Sequence, residues 1–376
     1  MRQIVILLPG IDRIGGAERQ ALLIARSVKQ RGWRVTVVTL TGSGGQTATQ
    51  LQQDGIEVLS LHMRKGVLDP RGWLHFRRLL QERRPDVLHA HLPHATWVAR
   101  GSRLLATVPL QLDTLHTPVT GSSLRRLAYR FTAGITDCVT AVSQNVAKSY
   151  LDAGLVRQDS LFVIPNCLDT AFWSPDPRIR SRIREQLGVG DGFLWVTTGR
   201  LEAVKDHANL LKAFASLGDE AHLVLMGDGV LAEPLKRAAQ KLGVDSRVHF
   251  LGFIDDPRPY LRAADGFALP SLWEGMPMAL LEACACGLPS VASDVPGNNE
   301  IVTHAVTGLL VPPKDSSALA AGMLRLMQMQ PDERTEMARL ARQSVIERYE
   351  LGRVIDQWLS LYTGLLGEAP PAAART

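Results

Sequence analysis

The sequence predicts an α/β protein of two doubly wound domains, each built on a parallel sheet, facing one another across a cleft. Three observations predict it. The 376 residues exceed one ordinary core and suit two. Short apolar runs bounded by turn residues alternate with helical patterns throughout, and that alternation implies parallel sheets covered on both faces. A break at Trp173-Ser174-Pro175-Asp176-Pro177 parts the series in two.

The first strand is expected over 4–8, where Ile4-Val5-Ile6-Leu7-Leu8 runs into Pro9 and Gly10. Further strands of the first half are expected at 35–40, 57–61, 87–90, 110–114, 138–142 and 162–164, with helices such as 17–30, 72–83 and 145–153 between them. The second half repeats the scheme. Strands are expected at 194–198, 222–226, 248–251, 266–269 and 290–292, with helices near 207–214, 231–242 and 278–285. Domains are placed at 1–169 and 170–350. A helix at 351–366 is expected to pack back on the first domain, and 367–376, with Pro370-Pro371, reads as a disordered tail. Ligands of doubly wound sheets bind beyond the carboxyl ends of the strands, which places the active site in the cleft.

Hydrophobic content of 45% and charged content of 21% fit a soluble globular protein. No apolar run reaches membrane-spanning length, and the first apolar run is too short for a signal peptide. A cytoplasmic protein is expected. Cys138, Cys167, Cys284 and Cys286 form neither a zinc pattern nor a disulfide framework and read as reduced, mostly buried residues. The formal charge of +5 hides an asymmetry: residues 1–170 carry +9 and the remainder −4. The first half should face something anionic.

The richest stretch runs from Glu274 to Ala283. Glu274 and Glu282 stand eight apart, with Pro277 fit for a first helical position. Glu274 then lies in a loop before a helix and Glu282 about one turn inside it. The N–H groups of Gly275 and Met276 and the positive helix end lie between them. Carboxylates accept from sugar hydroxyls and a helix end faces phosphate, so a nucleotide sugar suits the pair. A surface loop with an acidic amphipathic helix explains the spacing equally well.

Other candidates follow strand ends. Gly15-Gly16 before Ala17-Glu18 lets backbone approach a ligand, although the pattern is neither the dinucleotide fingerprint nor a Walker loop. Arg200 and Lys205 stand five apart and can converge on a diphosphate; a solvated loop is the plainer alternative. His116 can donate, accept or contact a sugar, while a lone histidine is more often structural. His89, His91 and His94 lie near, but their spacing fits no common metal site. Around residues 122–130, Leu124, Leu127, Ala128 and Phe131 alternate with Arg125, Arg126 and Arg130; with Arg71, Arg77, Arg78, Arg83 and Arg84 they make either a basic face for an anionic membrane or a solvated surface. No signature supports nucleic acid as a partner.

Together these residues resemble a retaining glycosyltransferase of family 4, of the GT-B architecture with two Rossmann-like domains. The resemblance rests on Gly15-Gly16-Ala17-Glu18, Ala141-Val142-Ser143, Ile164-Pro165-Asn166-Cys167-Leu168-Asp169, Gly199-Arg200 with Lys205, Met226-Gly227-Asp228-Gly229, and Glu274 through Ala283. It implies an acceptor-side first domain and a donor-binding second. It assigns Gly15 and Gly16 to the donor phosphate and acceptor, Arg200 and Lys205 to the diphosphate, Glu282 to the ribose, and Glu274 to the donor sugar. The N–H groups of Gly275, Met276 and Pro277's neighbourhood would reach sugar and phosphate, His116 would lie near the reacting sugar, and the base near Gly252 and Phe253. Three residues depart from the family pattern: Cys167 for a glycine, Met276 for an aromatic and Val230 for a proline.

The resemblance implies transfer of a hexose or N-acetylhexosamine from a nucleoside-diphosphate sugar, UDP favoured, with retention and with neither metal nor cofactor. The expected acceptor is a glycan or lipid-linked carrier, the enzyme sitting peripherally on the inner face of the cytoplasmic membrane, as in bacterial surface-polysaccharide synthesis. A soluble acceptor, a UDP-sugar epimerase of related fold and a non-catalytic nucleotide-sugar-binding regulator stand as alternatives.

Overall fold

The computed structural model describes residues 1–12, 14–42, 44–64, 69–119 and 121–367, apart from the side chains of Leu124 and Arg125. The expected tail lies almost wholly outside these residues. The chain forms two compact units, 1–166 with 352 onward, and 167–351.

The first unit runs β1 (Gln3–Leu8), α1 (Gly16–Gln30), β2 (Arg34–Thr39), α2 (Gly45–Gln53), β3 (Glu57–Ser60), α3 (Pro70–Arg83), β4 (Val87–His91), α4 (Pro93–Ser102), β5 (Leu110–Leu115), α5 (Ser123–Thr132), β6 (Cys138–Ala141), α6 (Gln144–Asp152) and β7 (Leu161–Val163). The second holds α7 (Arg180–Leu187), β8 (Phe193–Thr198), α8 (His207–Phe214), β9 (Ala221–Met226), α9 (Ala232–Lys241), β10 (Val248–Gly252), α10 (Arg258–Ala263), β11 (Gly266–Leu269), α11 (Met278–Ala285), β12 (Ser290–Ser293), α12 (Asn298–Ile301), β13 (Leu309–Val311), α13 (Ser316–Gln328) and α14 (Pro331–Tyr349). Last comes α15 (Leu351–Leu365), whose residues from Gly352 belong to the first unit.

The strand order is β3-β2-β1-β4-β5-β6-β7 in one sheet and β10-β9-β8-β11-β12-β13 in the other, every pair parallel. Each order reverses once, between β1 and β4 and between β8 and β11. Such a reversal opens a crevice beyond the strands' carboxyl ends. Strands buried on both faces must be apolar throughout, and β1 is buried at all six positions.

Caps fix the entry of several helices. Asp69 accepts from Arg71 N at 3.0 Å ahead of Pro70, Ser143 accepts from Val146 N at 3.1 Å, and Asp315 accepts from Ala318 N at 2.8 Å. The strand β13 was not foreseen. Its three residues stand between Gly308 and Pro312-Pro313, too short a run to show a period.

The helix α15 completes the first unit. It buries Val354, Ile355, Trp358, Leu359 and Tyr362, with Trp33 against Tyr362 and His89 against Trp358. Tyr362 Oη lies 2.8 Å from His89 Nδ1, and His89 Nε2 lies 2.6 Å from Thr114 Oγ1. Thr114 Oγ1 is 2.7 Å from Thr140 Oγ1, which donates to the Asp113 carbonyl. A carbonyl can only accept, so the chain runs one way: each hydroxyl donates onward, His89 donates from Nε2, and Tyr362 donates to Nδ1.

Candidate functional site

In the second unit the decisive residues follow the two strands that flank the reversal. Gly199 to Lys205 follows β8, and residues 270–277 follow β11. The two loops are stitched together where Leu272 N donates to Val204 O at 2.8 Å. Lys205 Nζ then reaches Glu274 Oε1 at 2.6 Å. Ser271 Oγ donates to the same oxygen, also at 2.6 Å. Glu274 and Lys205 are 69 residues apart in sequence; only the adjacency of β8 and β11 makes them neighbours.

Two glycines let the surrounding loops close in. Gly227 has φ +150°, and a Cβ there would stand 1.8 Å from the Gly199 carbonyl oxygen. Gly297 has φ +91°, and a Cβ would stand 2.9 Å from the Glu274 carbonyl oxygen. Side chains at either position would push the strand-end loops apart.

Arg200 leaves the same strand end as Lys205, but it is 70% exposed and pairs with Glu202 at 3.0 Å. Gly275, Met276 and Pro277 are buried. Pro277 is not the first helical residue, contrary to the sequence reading. Its ψ of 113° makes it the residue before the helix, which its fixed φ equally permits, and its carbonyl accepts from Leu280 and Leu281 N. Glu282 is therefore the fifth helical residue, 3% exposed. Gly252 closes β10 with φ +68° and gives its carbonyl to Gly227 N at 2.7 Å, while Phe253 is 66% exposed.

In the first unit, Gly15 is the residue before α1 and Gly16 its first residue. The Gly15 N–H donates to Glu18 Oε2 at 3.1 Å. His116 follows β5 directly and is half-buried. Its Nε2 lies 3.0 Å from Nδ1 of the fully buried His91. Burial lowers His116 to a pKa of about 4 and His89 to about 3, and His91 well below the ordinary range; neighbouring histidines add to the last two. All three rings are neutral at physiological pH. Among the described residues no group of three or more His, Cys, Asp or Glu is placed to hold a metal.

Sequence reasoning missed two residues. Ser271 carries no signal beyond its place three residues before Glu274. Arg100 is 1% exposed and donates from Nε to Asp113 Oδ2 at 2.8 Å and from Nη1 to Thr132 Oγ1 at 2.9 Å. Its guanidinium lies 4.0 Å from the Tyr129 ring centroid. A fully buried arginine must be paired, and this one joins α4, β5 and α5. The four cysteines are free and buried.

Comparison with known proteins finds a match on each half of the chain. Residues 14–172 match Glycosyltransferase Family 4, and residues 179–344 match Glycosyl transferases group 1. The chain is 26% identical over 316 residues to the UDP-Gal:alpha-D-GlcNAc-diphosphoundecaprenol alpha-1,3-galactosyltransferase of Escherichia coli, covering 80% of this chain and 81% of that one. It is 27% identical over 352 residues to the lipopolysaccharide core biosynthesis glycosyltransferase LpsE of Rhizobium meliloti, covering 92% and 95%. The crystal structure of Anabaena Alr3699/HepE in complex with UDP-glucose superposes with a TM-score of 0.85 at 25% identity, over 96% of this chain and 99% of that one. With one family match on each half and two reversing parallel sheets of its own, the chain belongs to the GT-B glycosyltransferases that join a family 4 domain to a group 1 domain.

Proposed function

We propose that this glycosyltransferase moves a hexose or N-acetylhexosamine from a UDP-sugar to a lipid-linked or glycan acceptor, with retention of anomeric configuration. The observation that carries the reading is the Lys205–Glu274 contact beyond β8 and β11, which sets a cation and a carboxylate side by side at a reversal of strand order. A nucleotide sugar needs both: a cation for the departing diphosphate and an acceptor for sugar hydroxyls. Lys205 and Arg200 stabilise the charge that develops on the leaving diphosphate. Glu274 accepts from the sugar, Glu282 from the ribose, and Gly252 and Phe253 border the base. His116, in the first unit, is held neutral and can offer a hydrogen bond. The bond from the anomeric carbon to the phosphate oxygen breaks, the bond to the acceptor oxygen forms on the same face, and the acceptor proton passes to the phosphate. The relatives support the ligand classes: the Escherichia coli enzyme is named for UDP-Gal and a diphosphoundecaprenol acceptor, and HepE was crystallised with UDP-glucose.

We place the enzyme on the inner face of the cytoplasmic membrane, held through α5. Among the described residues no helix is long and apolar enough to cross a membrane. On α5, Leu127 is 50% and Phe131 78% exposed, flanked by exposed Arg126 and Arg130. Apolar tips between cations suit an anionic lipid surface; Arg125, also expected there, lies outside the described side chains.

Incubation with a panel of UDP-sugars and lipid-linked acceptors, followed by mass spectrometry and anomeric NMR of the product, tests the reading. Transfer with retention, undiminished by EDTA, is expected. An isomerised free nucleotide sugar, or binding without turnover, overturns it.

A further inference from the structure

We propose that Ser271 is a positioning residue for transfer: it locks the Glu274 carboxylate so that Oε1 stays committed within the protein and Oε2 meets the donor sugar. This rests on the reading of Glu274 as the sugar contact. Glu274 Oε1 receives two donors at 2.6 Å, Lys205 Nζ and Ser271 Oγ. A carboxylate oxygen offers about two lone-pair directions, so both are used. Oε2 makes no hydrogen bond to any described residue, and it is the oxygen left for a hydroxyl.

The two donors differ in what they do once a donor substrate arrives. Lys205 is a flexible cation, and a diphosphate competes for it. Ser271 is fully buried two residues after β11, and the next residue is pinned by Leu272 N to Val204 O at 2.8 Å. Its hydroxyl cannot turn to the ligand. When Lys205 swings to phosphate, Ser271 is what keeps the carboxylate from following it. Without the hydroxyl, Glu274 rotates to meet the ammonium with both oxygens. That withdraws Oε2 from the sugar and sets Glu274 against the diphosphate for the same cation.

Ser271→Ala should lower kcat about ten- to hundred-fold, the scale of one hydrogen bond to a charged group. Calorimetric affinity for free UDP should stay within about threefold, and Tm within a few degrees. Ser271→Cys keeps the size but has only a weak donor, so it should behave like the alanine variant. Ser271→Thr keeps the hydroxyl and should recover most of the rate; if its methyl prevents folding, the cysteine variant carries the comparison. In a Glu274→Ala background, Ser271→Ala should cost little more, because the two act through one contact. Wild-type kcat in the alanine or cysteine variant overturns the proposal. So does a parallel fall of kcat and UDP affinity, or full additivity with Glu274→Ala. If the wild-type enzyme turns over no UDP-sugar, the reading of the site falls, and the proposal with it. If the wild type is active and these variants match it, the proposal alone falls.

Discussion

Arg200 and Lys205 leave the same strand end for different surroundings, and their substitutions should separate accordingly. Both should lose about a hundred-fold or more in turnover on change to alanine, the scale of a lost preorganised charge contact. Only Lys205→Ala takes the countercharge from a buried carboxylate, leaving it the Ser271 hydroxyl alone, at a cost of about 1–3 kcal/mol. Thermal unfolding should therefore fall by several degrees for Lys205→Ala and stay unchanged for Arg200→Ala, whose side chain is 70% exposed. Equal Tm values would show that the Lys205–Glu274 pair contributes nothing. The two acids divide in a similar way. Glu282→Ala should weaken binding of free UDP, and Glu274→Ala should spare it while lowering turnover of the intact donor. Calorimetry on both decides, and equal losses overturn the division. At this scale the sequence showed which residue types follow which strand. It could not show that Lys205 and Glu274 touch, because that depends on strand order. Nor could it show that Gly15 spends its N–H on Glu18, because that depends on a side-chain rotamer.

Strands were legible where they sat between strong turn signals, whereas the long helices α13 and α14 were not foreseen. Strands β1 to β12 fall within a residue or two of their expected places, and α8 and α11 match theirs at both ends. The strand β13, three residues long, offered no alternation to read. The helix α5 shows the opposite limit. Its pattern was plain, yet pattern alone left the choice between a membrane face and a solvated surface open. The structure adds two facts: Phe131 and Leu127 are exposed, and the helix is tied down from behind by the buried Arg100. A helix held on one face can present the other. Liposome flotation at low salt should show binding that needs anionic lipid and weakens as salt shortens the screening length. Each Lys or Arg near such a surface is worth about 1 kcal/mol, so Arg126→Gln with Arg130→Gln should weaken partitioning by roughly thirty-fold. Indifference of the wild type to anionic lipid would return α5 to the solvated surface.

For the whole molecule, the buried histidines set an acid limit. His89, His91 and His207 are buried and held neutral, with pKa values of about 3 for His89 and about 4 for His207, and the half-buried His116 is lowered as well. Below about pH 6.5 the unfolded chain takes up protons that the native chain refuses. Stability is therefore intact above that pH and falls as pH drops toward 4, by up to about 1.4 kcal/mol per unit for each histidine. Calorimetric unfolding at pH 5.5 in two buffers of different ionisation enthalpy should report net proton uptake. No uptake, with Tm flat from pH 7 to 5, would contradict it.

The chain's return from Glu350 into α15 has a consequence for how the protein is made. Synthesis runs from the amino end, so β1 to β7 emerge from the ribosome before any of the second unit. Their sheet cannot yet be finished: Trp33 and His89 still lack Trp358 and Tyr362, which lie in the last helix to appear. The first-made unit must wait, one apolar face uncovered, while 185 residues of the other unit are translated. At 5–20 residues per second that interval is roughly 10 to 40 seconds. A chain stalled anywhere in the second unit would thus release an unfinished amino-terminal unit, a natural client for chaperones and proteases.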